Sequence, residues 1–288
     1  MVALIARAHL SPAASAAIDQ LLRENPIDPA LNRFCKDRPN DLMADAATWA
    51  DDIKSTEKTG QWHYVDIPLA VSDSSEDAMQ WCAALGPLQE GKDRTGCILN
   101  ATAYELRLLR DKDQSAAIRA KALRYVIHFL GDISQPLHDA DNHDQGGNCT
   151  SIAVSFLDKP ANLHGIWDYA LLANELQQKK VTQAQLAATI DQEHAGDQAS
   201  GLDLQAWAWE GHAIAATVVY GNLTPKLPVA PADAGLADRP ACDAGRAKAA
   251  GMHIAIAQPY IDAAMPVIHQ QIGRAGYRLA DVLNQIFQ

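Results

Sequence analysis

Apolar residues recur at helical spacing along most of the chain. Ser11-Pro12 is typical of a helix start, with the serine as N-cap and the proline at the first helical position. Asn25-Pro26 and Gln135-Pro136 are typical of helix ends. The pattern predicts helices over residues 2–10, 11–23, 41–54, 75–85, 95–110, 115–131, 162–176, 182–190, 202–219, 248–264 and 274–287.

Three segments interrupt the helical pattern. WHYVDIPL, residues 62–69, contains β-branched and aromatic residues and predicts an extended segment. SIAVSFLD, residues 151–158, alternates apolar and polar positions in part and predicts a small β-hairpin. Residues 225–240 are rich in Pro, Ala and Asp and predict a surface loop. With no internal repeat or composition boundary, residues 1–288 are expected to form one mainly α domain.

Composition narrows the function classes. The 288 residues carry a net charge of −11, which argues against binding duplex nucleic acid through a broad basic face. Bound cations would still allow a polyanionic substrate. The five cysteines form no CxxC pair, so a zinc finger is unsupported and their pairing stays open. No apolar run approaches membrane-spanning length, and no signal peptide is expected in the chain as given.

Candidate chemistry concentrates in RYVIHFLGDISQPLHDADNH, residues 124–143. His128 and Asp132 are four apart on a predicted helix, so their side chains share one face. The simplest alternative is a solvated His–Asp pair. The apolar neighbours oppose that alternative, because burying an unpaired carboxylate costs several kcal/mol, whereas a divalent cation would remove the cost. Pro136 breaks the helix, which allows His138 to fold back beside the pair.

Further His and Asp residues extend this pattern. His164 and Asp168 form a second doublet at the same spacing, while His63 and Asp51 lie earlier in the chain. Taken singly, each has an ordinary structural interpretation. Together they exceed the needs of one tetrahedral ion and predict a multinuclear site with N and O ligands, for which zinc is favoured.

The motifs ATWADDIK, QWHYVDIPL, HFLGDISQPLH, GGN and NLHGIWD occur in this order, followed by a C-terminal AGYRLADVLNQIF. This ordered set resembles the S1/P1 nuclease family, which is similar to zinc-dependent phospholipase C. The resemblance covers almost the whole chain and implies a mostly helical fold with three zinc ions in a cleft. It assigns one zinc to Asp51, His63, His128 and Asp132, and a second zinc to His138, His164 and Asp168.

In the family, the third zinc is held by an N-terminal Trp and by a His a few residues later. This sequence has neither residue, and His9 lies too far along the first helix to replace that His. Either the natural chain begins upstream, after a signal peptide, or this is a truncated form. The sequence therefore supports two zinc sites, and the resemblance implies a secreted or periplasmic protein.

The resemblance also implies a reaction. A zinc-activated water would attack phosphorus in line and cleave the P–O3′ bond, which leaves 5′-phosphorylated products. Lys54 is expected to offer charge to the phosphate, Asp66 to orient or deprotonate the water, and Asn148 to contact the nucleobase. The alternatives are a surface charge for Lys54, a local cap for Asp66 and a loop residue for Asn148.

Single-stranded DNA, RNA and 3′-nucleotides are the expected substrates, because a flexible strand can place its phosphate in a cleft that a stiff duplex cannot enter. We expect a monomer with no stable protein partner and no membrane association. Two alternatives are a phospholipase C-like phosphodiesterase, and a catalytically impaired zinc-binding helical protein that lacks the third site.

Overall fold

The protein is mainly α-helical, as predicted. The computed structural model describes residues 1–33, 40–82, 96–197, 201–232 and 254–288. The α-helices in these ranges are α1 (Val2–Ala8), α2 (Pro12–Glu24), α3 (Leu42–Ala46), α4 (Trp49–Glu57), α5 (Ile98–Arg110), α6 (Ala116–Asp132), α7 (Leu163–Gly165), α8 (Leu171–Lys179), α9 (Gln183–Glu193), α10 (Leu204–Ile214) and α11 (Gln258–Ile286). Short 3₁₀ helices cover Gly60–His63, Ala78–Trp81 and Pro136–His138, and π-helical turns cover Ile166–Ala170 and Ala215–Val219.

Capping residues define several helix starts. Ser11 accepts a hydrogen bond from the backbone N–H of Ala14, and Ser115 caps α6 in the same way. Asp41 caps α3 through the N–H of Ala44. These side chains satisfy donors that the first helical turn leaves unpaired, so the local sequence sets where each helix begins.

Helix α6 lies at the centre of the main core. Every residue from 122 to 130 is buried, and Tyr125 and Phe129 are among the largest fully buried side chains. Helix α5 packs along α6, while α1 packs along α11. A helix that is apolar on all sides belongs inside a protein, and the polar residues that α6 carries are therefore buried with it.

The predicted hairpin is present, and it belongs to a slightly larger sheet. Strand β1 (Ser151–Val154) pairs antiparallel with β2 (Ala161–Asn162), with Ser151 opposite Asn162. Strand β3 (Ile254–Ile256) adds to the other edge of β1 in parallel, so the order is β2-β1-β3. The sequence prediction missed β3, because three residues beside a helical pattern carry no recognisable alternation.

Several predicted boundaries were wrong. The segment at 62–69 begins as a 3₁₀ helix and becomes extended only after His63. The helix predicted over 248–264 begins at Gln258 after β3, and residues 248–253 lie outside the described ranges. It continues without interruption to Ile286, with Pro266 inside, instead of ending before a separate last helix. Part of the predicted helix at 75–85 and of the loop at 225–240 also lies outside the described ranges; the described part of the former is the short 3₁₀ helix Ala78–Trp81.

A disulfide joins Cys82 to Cys97, and Cys149 is also disulfide-bonded. The first bond ties the start of α5 to the 3₁₀ helix that precedes Cys82. Among the described helices, none is both long enough and apolar enough to cross a membrane.

Candidate metal centre

The first group of ligand-type side chains comprises Asp51, His63 and His128. They come from α4, the 3₁₀ helix at 60–63 and α6, and one ligand atom from each lies within 4.8 Å of the others. His63 Nδ1 lies 2.9 Å from His128 Nε2, and both histidines are buried. Three separate elements therefore direct their polar atoms at one point.

The second group comprises His138, His164 and Asp168, whose ligand atoms also lie within 4.8 Å of one another. The two imidazole rings stack with centroids 4.9 Å apart. Asp168 faces both: Oδ1 is 3.3 Å from His138 Nε2, and Oδ2 is 3.3 Å from His164 Nε2. Gln135 donates a hydrogen bond to Asp168 Oδ1 at 2.6 Å and holds that carboxylate in place.

Asp132 lies between the two groups. Its Oδ2 atom is 2.9 Å from both His63 Nδ1 and His128 Nε2, which belong to the first group. Its Oδ1 atom lies 3.8 Å from His138 Nδ1, which belongs to the second. The resemblance assigned Asp132 to the first zinc only, while the helix break at Pro136 predicted His138 beside the His128–Asp132 pair; the structure brings Asp132 next to His138.

Backbone carbonyls orient three of the four histidines. The Nδ1 atoms of His128, His138 and His164 lie 2.6, 2.9 and 2.8 Å from the carbonyl oxygens of Ala47, His63 and Gly146. A ring that donates its Nδ1 proton to a carbonyl leaves the lone pair of Nε2 free for a metal ion. His63 is the exception, since its Nδ1 faces the site. Sequence reasoning missed these carbonyls because any residue type supplies one.

The GGN segment forms part of the support for His164. Gly146 and Gly147 have φ angles of +57° and +82°, which favour glycine. A Cβ on Gly146 would lie 2.5 Å from the carbonyl oxygen of Leu137. Asp144 accepts hydrogen bonds from the N–H of Gly147 and from the hydroxyl of Tyr220. These contacts fix the loop in a conformation in which the Gly146 carbonyl faces His164.

The charges of the centre depend on one another. Burial is the largest single cause and would lower the pKa of His128 and of His138, but Asp132 and the neighbouring carboxylates together raise each pKa to about 9. For His63, burial dominates and the pKa is lowered. Burial would raise the pKa of Asp132, but the adjacent His128 and His138 lower it well below its ordinary value. The carboxylates thus favour positive charge here, which a metal ion can supply in place of protons.

The donor set fits zinc. Imidazole nitrogen and carboxylate oxygen are ordinary zinc ligands at about 2.0–2.2 Å, so ligand atoms around a tetrahedral ion lie about 3.3–3.6 Å apart. The ligand atoms of the first group lie 2.9, 3.7 and 3.8 Å apart, which brackets that value, and Asp168 lies 3.3 Å from each histidine of the second group. Small side-chain adjustments would therefore suffice to close each group around one ion.

Lys54 lies beside the first group. Its Nζ is 2.9 Å from Asp51 Oδ1, one helical turn away on α4. Burial would lower the pKa of Lys54, but attraction to Asp51 raises it, so the side chain stays charged. The Lys54 side chain is 43% exposed.

Asp66 and Asn148 lie on segments that contact the backbone of the second group or adjoin its supporting loop. Asp66 is half-buried between Val65 and Ile67, on a segment bonded to residues 138–141: the N–H of Val65 donates to the carbonyl of His138 at 2.8 Å. Asn148 donates to the carbonyl of Gln145 at 2.9 Å. Both residues are close in sequence to metal-ligand candidates, but neither belongs to a ligand group.

His9 lies away from both groups. Its Nε2 is 2.7 Å from Asp191 Oδ1, and its ring packs edge-on against Tyr277. The expectation that His9 does not substitute for the family's N-terminal His stays a prediction.

The comparison with known proteins agrees with the fold and with the motifs. A family model described as S1/P1 Nuclease matches residues 1–288. Nuclease PA3 of Penicillium sp is 26% identical over 307 residues, which cover 99% of this chain and 94% of that protein. Nuclease P1 of Penicillium citrinum is 26% identical, covering 99% and 94%, and Endonuclease 2 of Arabidopsis thaliana is 27% identical, covering 100% and 88%. The chain therefore belongs to the S1/P1 nuclease family.

Proposed function

We propose that the protein is a zinc-dependent phosphodiesterase that cleaves single-stranded DNA and RNA, and 3′-nucleotides, at the P–O3′ bond. Membership in a nuclease family and relatives named as nucleases and endonucleases support action on nucleic acid. The observation that carries the proposal is the pair of His/Asp groups linked by Asp132. In this proposal, Asp51, His63, His128 and Asp132 hold one zinc ion, and His138, His164 and Asp168 hold a second.

The two ions would supply a hydroxide at neutral pH and positive charge for the phosphoryl oxygens. The carbonyls of Ala47, His63 and Gly146 hold three of the ligand rings in place before substrate arrives. A preorganised site of this kind avoids reorganisation during the reaction.

The remaining assigned residues act on the substrate and the attacking water. Lys54, charged and partly exposed beside Asp51, would hold a nonbridging phosphate oxygen. Asp66 would accept the proton of the attacking water, and Asn148 would contact the nucleobase. Cleavage of the P–O3′ bond then leaves the phosphate on the 5′ side of the next nucleotide.

Substrate choice follows from charge and shape. The protein carries a net charge of −11, so a phosphodiester gains attraction only where cations collect, at the metal centre. A single strand bends to bring one phosphate there, whereas a duplex keeps its backbone on a stiff cylinder. The disulfide of Cys82 and Cys97 fits an oxidising compartment, and we propose secretion or export to the periplasm.

The decisive experiment compares hydrolysis of a single-stranded oligonucleotide with that of its duplex, before and after chelation and after zinc is added back. We expect zinc-dependent cleavage of the single strand and 5′-phosphate ends by mass spectrometry. Asp132→Ala should abolish both activity and paired zinc binding. His194→Ala is the matched control, because His194 also pairs with a carboxylate, at 3.0 Å, but lies outside both groups. Undiminished cleavage after chelation would refute the proposal, as would an inert zinc-loaded protein.

A further inference from the structure

Arg33 is a buried cation that the proposed reaction does not use. Its side chain is 6% exposed and lies against residues 45–52, the turn from α3 into α4. Its Nε atom is 2.5 Å from Asp52 Oδ2, and the Asp52 side chain is 0% exposed. Its Nη2 atom donates to the backbone carbonyl of Asp45 at 2.7 Å and to the Thr48 hydroxyl at 3.2 Å. One guanidinium therefore holds three points of a single turn.

The same turn supplies two parts of the metal centre. The carbonyl of Ala47 accepts the hydrogen bond from His128 Nδ1 at 2.6 Å. Asp51, which precedes Asp52 on α4, is a member of the first ligand group. Arg33 contacts Asp45, Thr48 and Asp52. Along the chain, these residues lie on both sides of Ala47 and of Asp51. Movement of this turn would displace the Ala47 carbonyl, which fixes the tautomer of His128, and the carboxylate of Asp51 at the same time.

The local helix geometry shows that the contact with Arg33 replaces an ordinary cap. Thr48 is the N-cap residue of α4, yet its side chain makes no capping hydrogen bond to that helix. Its hydroxyl accepts from Arg33 instead. A threonine at this position normally stabilises its own helix, so the start of α4 is positioned by a residue from outside the helix.

We propose that Arg33 is a positioning residue for the first metal site, acting through residues 45–52 on Asp51 and on the Ala47 carbonyl. This inference rests on the proposed zinc-dependent function. Partners that orient metal ligands typically change metal affinity by about 10–100-fold when they are removed. Arg33 positions one such partner, the Ala47 carbonyl, together with the ligand Asp51, and none of its contacts within the described ranges reaches the second group.

The test measures zinc affinity of the first site alone. In an Asp168→Ala parent, which disables the second group, the zinc Kd is obtained by competition with a chromogenic chelator. Arg33→Lys keeps a charge beside Asp52 but cannot span all three contacts. We expect about 10–100-fold weaker zinc binding in R33K, with helix content unchanged in the metal-free protein.

Arg7→Lys is the matched control. Arg7 also makes three side-chain contacts, with Asp19, Asp41 and Ser15, but none within residues 45–52. Zinc affinity in R7K should equal that of the parent, even where its unfolding temperature falls as much as that of R33K. If R33K does not fold, Thr48→Val, which removes one contact and keeps the ion pair, should weaken zinc binding in the same direction.

The outcomes separate the two hypotheses. Parent-like zinc affinity in R33K, or in T48V where R33K is unfolded, overturns the role of Arg33 and leaves the proposed function standing. Equal losses in R33K and R7K also overturn it, because they indicate general destabilisation. A wild-type chain that binds no zinc overturns the proposed function together with this inference.

Discussion

Gly211 lies in α10 at a point where a single methyl group has a calculable effect. A Cβ atom there would lie 2.0 Å from Asp139 Oδ2, 2.9 Å from Cγ and 3.1 Å from Cβ of the same residue. Real Cβ atoms essentially never approach a heavy atom below 3.0 Å, so Gly211→Ala requires a shift of about 1 Å (3.0 less 2.0). Asp139 is 0% exposed and follows His138 directly.

The expected energy follows from two opposing terms. Overpacking a buried contact costs about 1–3 kcal/mol. Replacing a helical glycine by alanine returns about 0.5–1 kcal/mol. The net destabilisation of G211A is then about 1 kcal/mol and at most about 2.5 kcal/mol (3 less 0.5), which lowers the unfolding temperature of a chain this long by about 2 °C and at most about 4 °C. Because a metal ligand must be placed to within about 0.5 Å, the displaced His138 should also weaken the second zinc site.

Calorimetry of the metal-free protein and a zinc titration test this reasoning. Gly131→Ala is the control: Gly131 also lies in a helix, and a Cβ there meets nothing within 4 Å. G131A should gain about 0.5–1 kcal/mol and bind zinc as the wild type does. If G211A matched G131A in stability and in zinc affinity, the steric argument would be wrong.

Three further predictions address the centre and its surroundings. Asp168→Asn should reduce zinc from two ions per chain to one, measured by elemental analysis of dialysed protein; two retained ions would contradict the ligand assignment. Lys54→Met should lower kcat/KM on a single-stranded oligonucleotide by about 10–100-fold with zinc content unchanged, and Lys54→Arg should retain most activity; equal rates in both variants would exclude a role for the charge. For Glu210, burial alone would raise the pKa, but hydrogen bonds from Arg278 and Gln271 lower it below 4.5. A lowered carboxyl pKa contributes stability above pH 4.5, and this stability is lost as the pH falls through the pKa of the folded state. Glu210→Gln should therefore reduce the fall in unfolding temperature that acid causes. An unchanged fall would contradict the lowered pKa of Glu210.

Local sequence was sufficient to predict much of the helical architecture. Helix α6, for example, was expected over 115–131 and is observed over Ala116–Asp132, because Ser115 caps it and Gln135-Pro136 follows it. The same local rules failed at β3 and at the fused helix α11, where pairing with β1 and packing against α1 outweigh the local pattern. Pro266, which would usually end a helix, lies inside α11.

In the candidate site, too, local sequence determines some features and long-range packing determines others. Spacing alone determines that His128 and Asp132, or His164 and Asp168, share a helix face, because four residues complete about one turn. The helix break at Pro136 predicted His138 beside the His128–Asp132 pair, but the position of Asp132 against both His63 and His138 depends on long-range packing and came from the tertiary structure. The tertiary structure also decided which carbonyls orient the histidines, those of Ala47 and Gly146 among them, and that Arg33 contacts residues 45–52. A backbone oxygen has no sequence signature, and a contact between distant residues is set by the fold that brings them together.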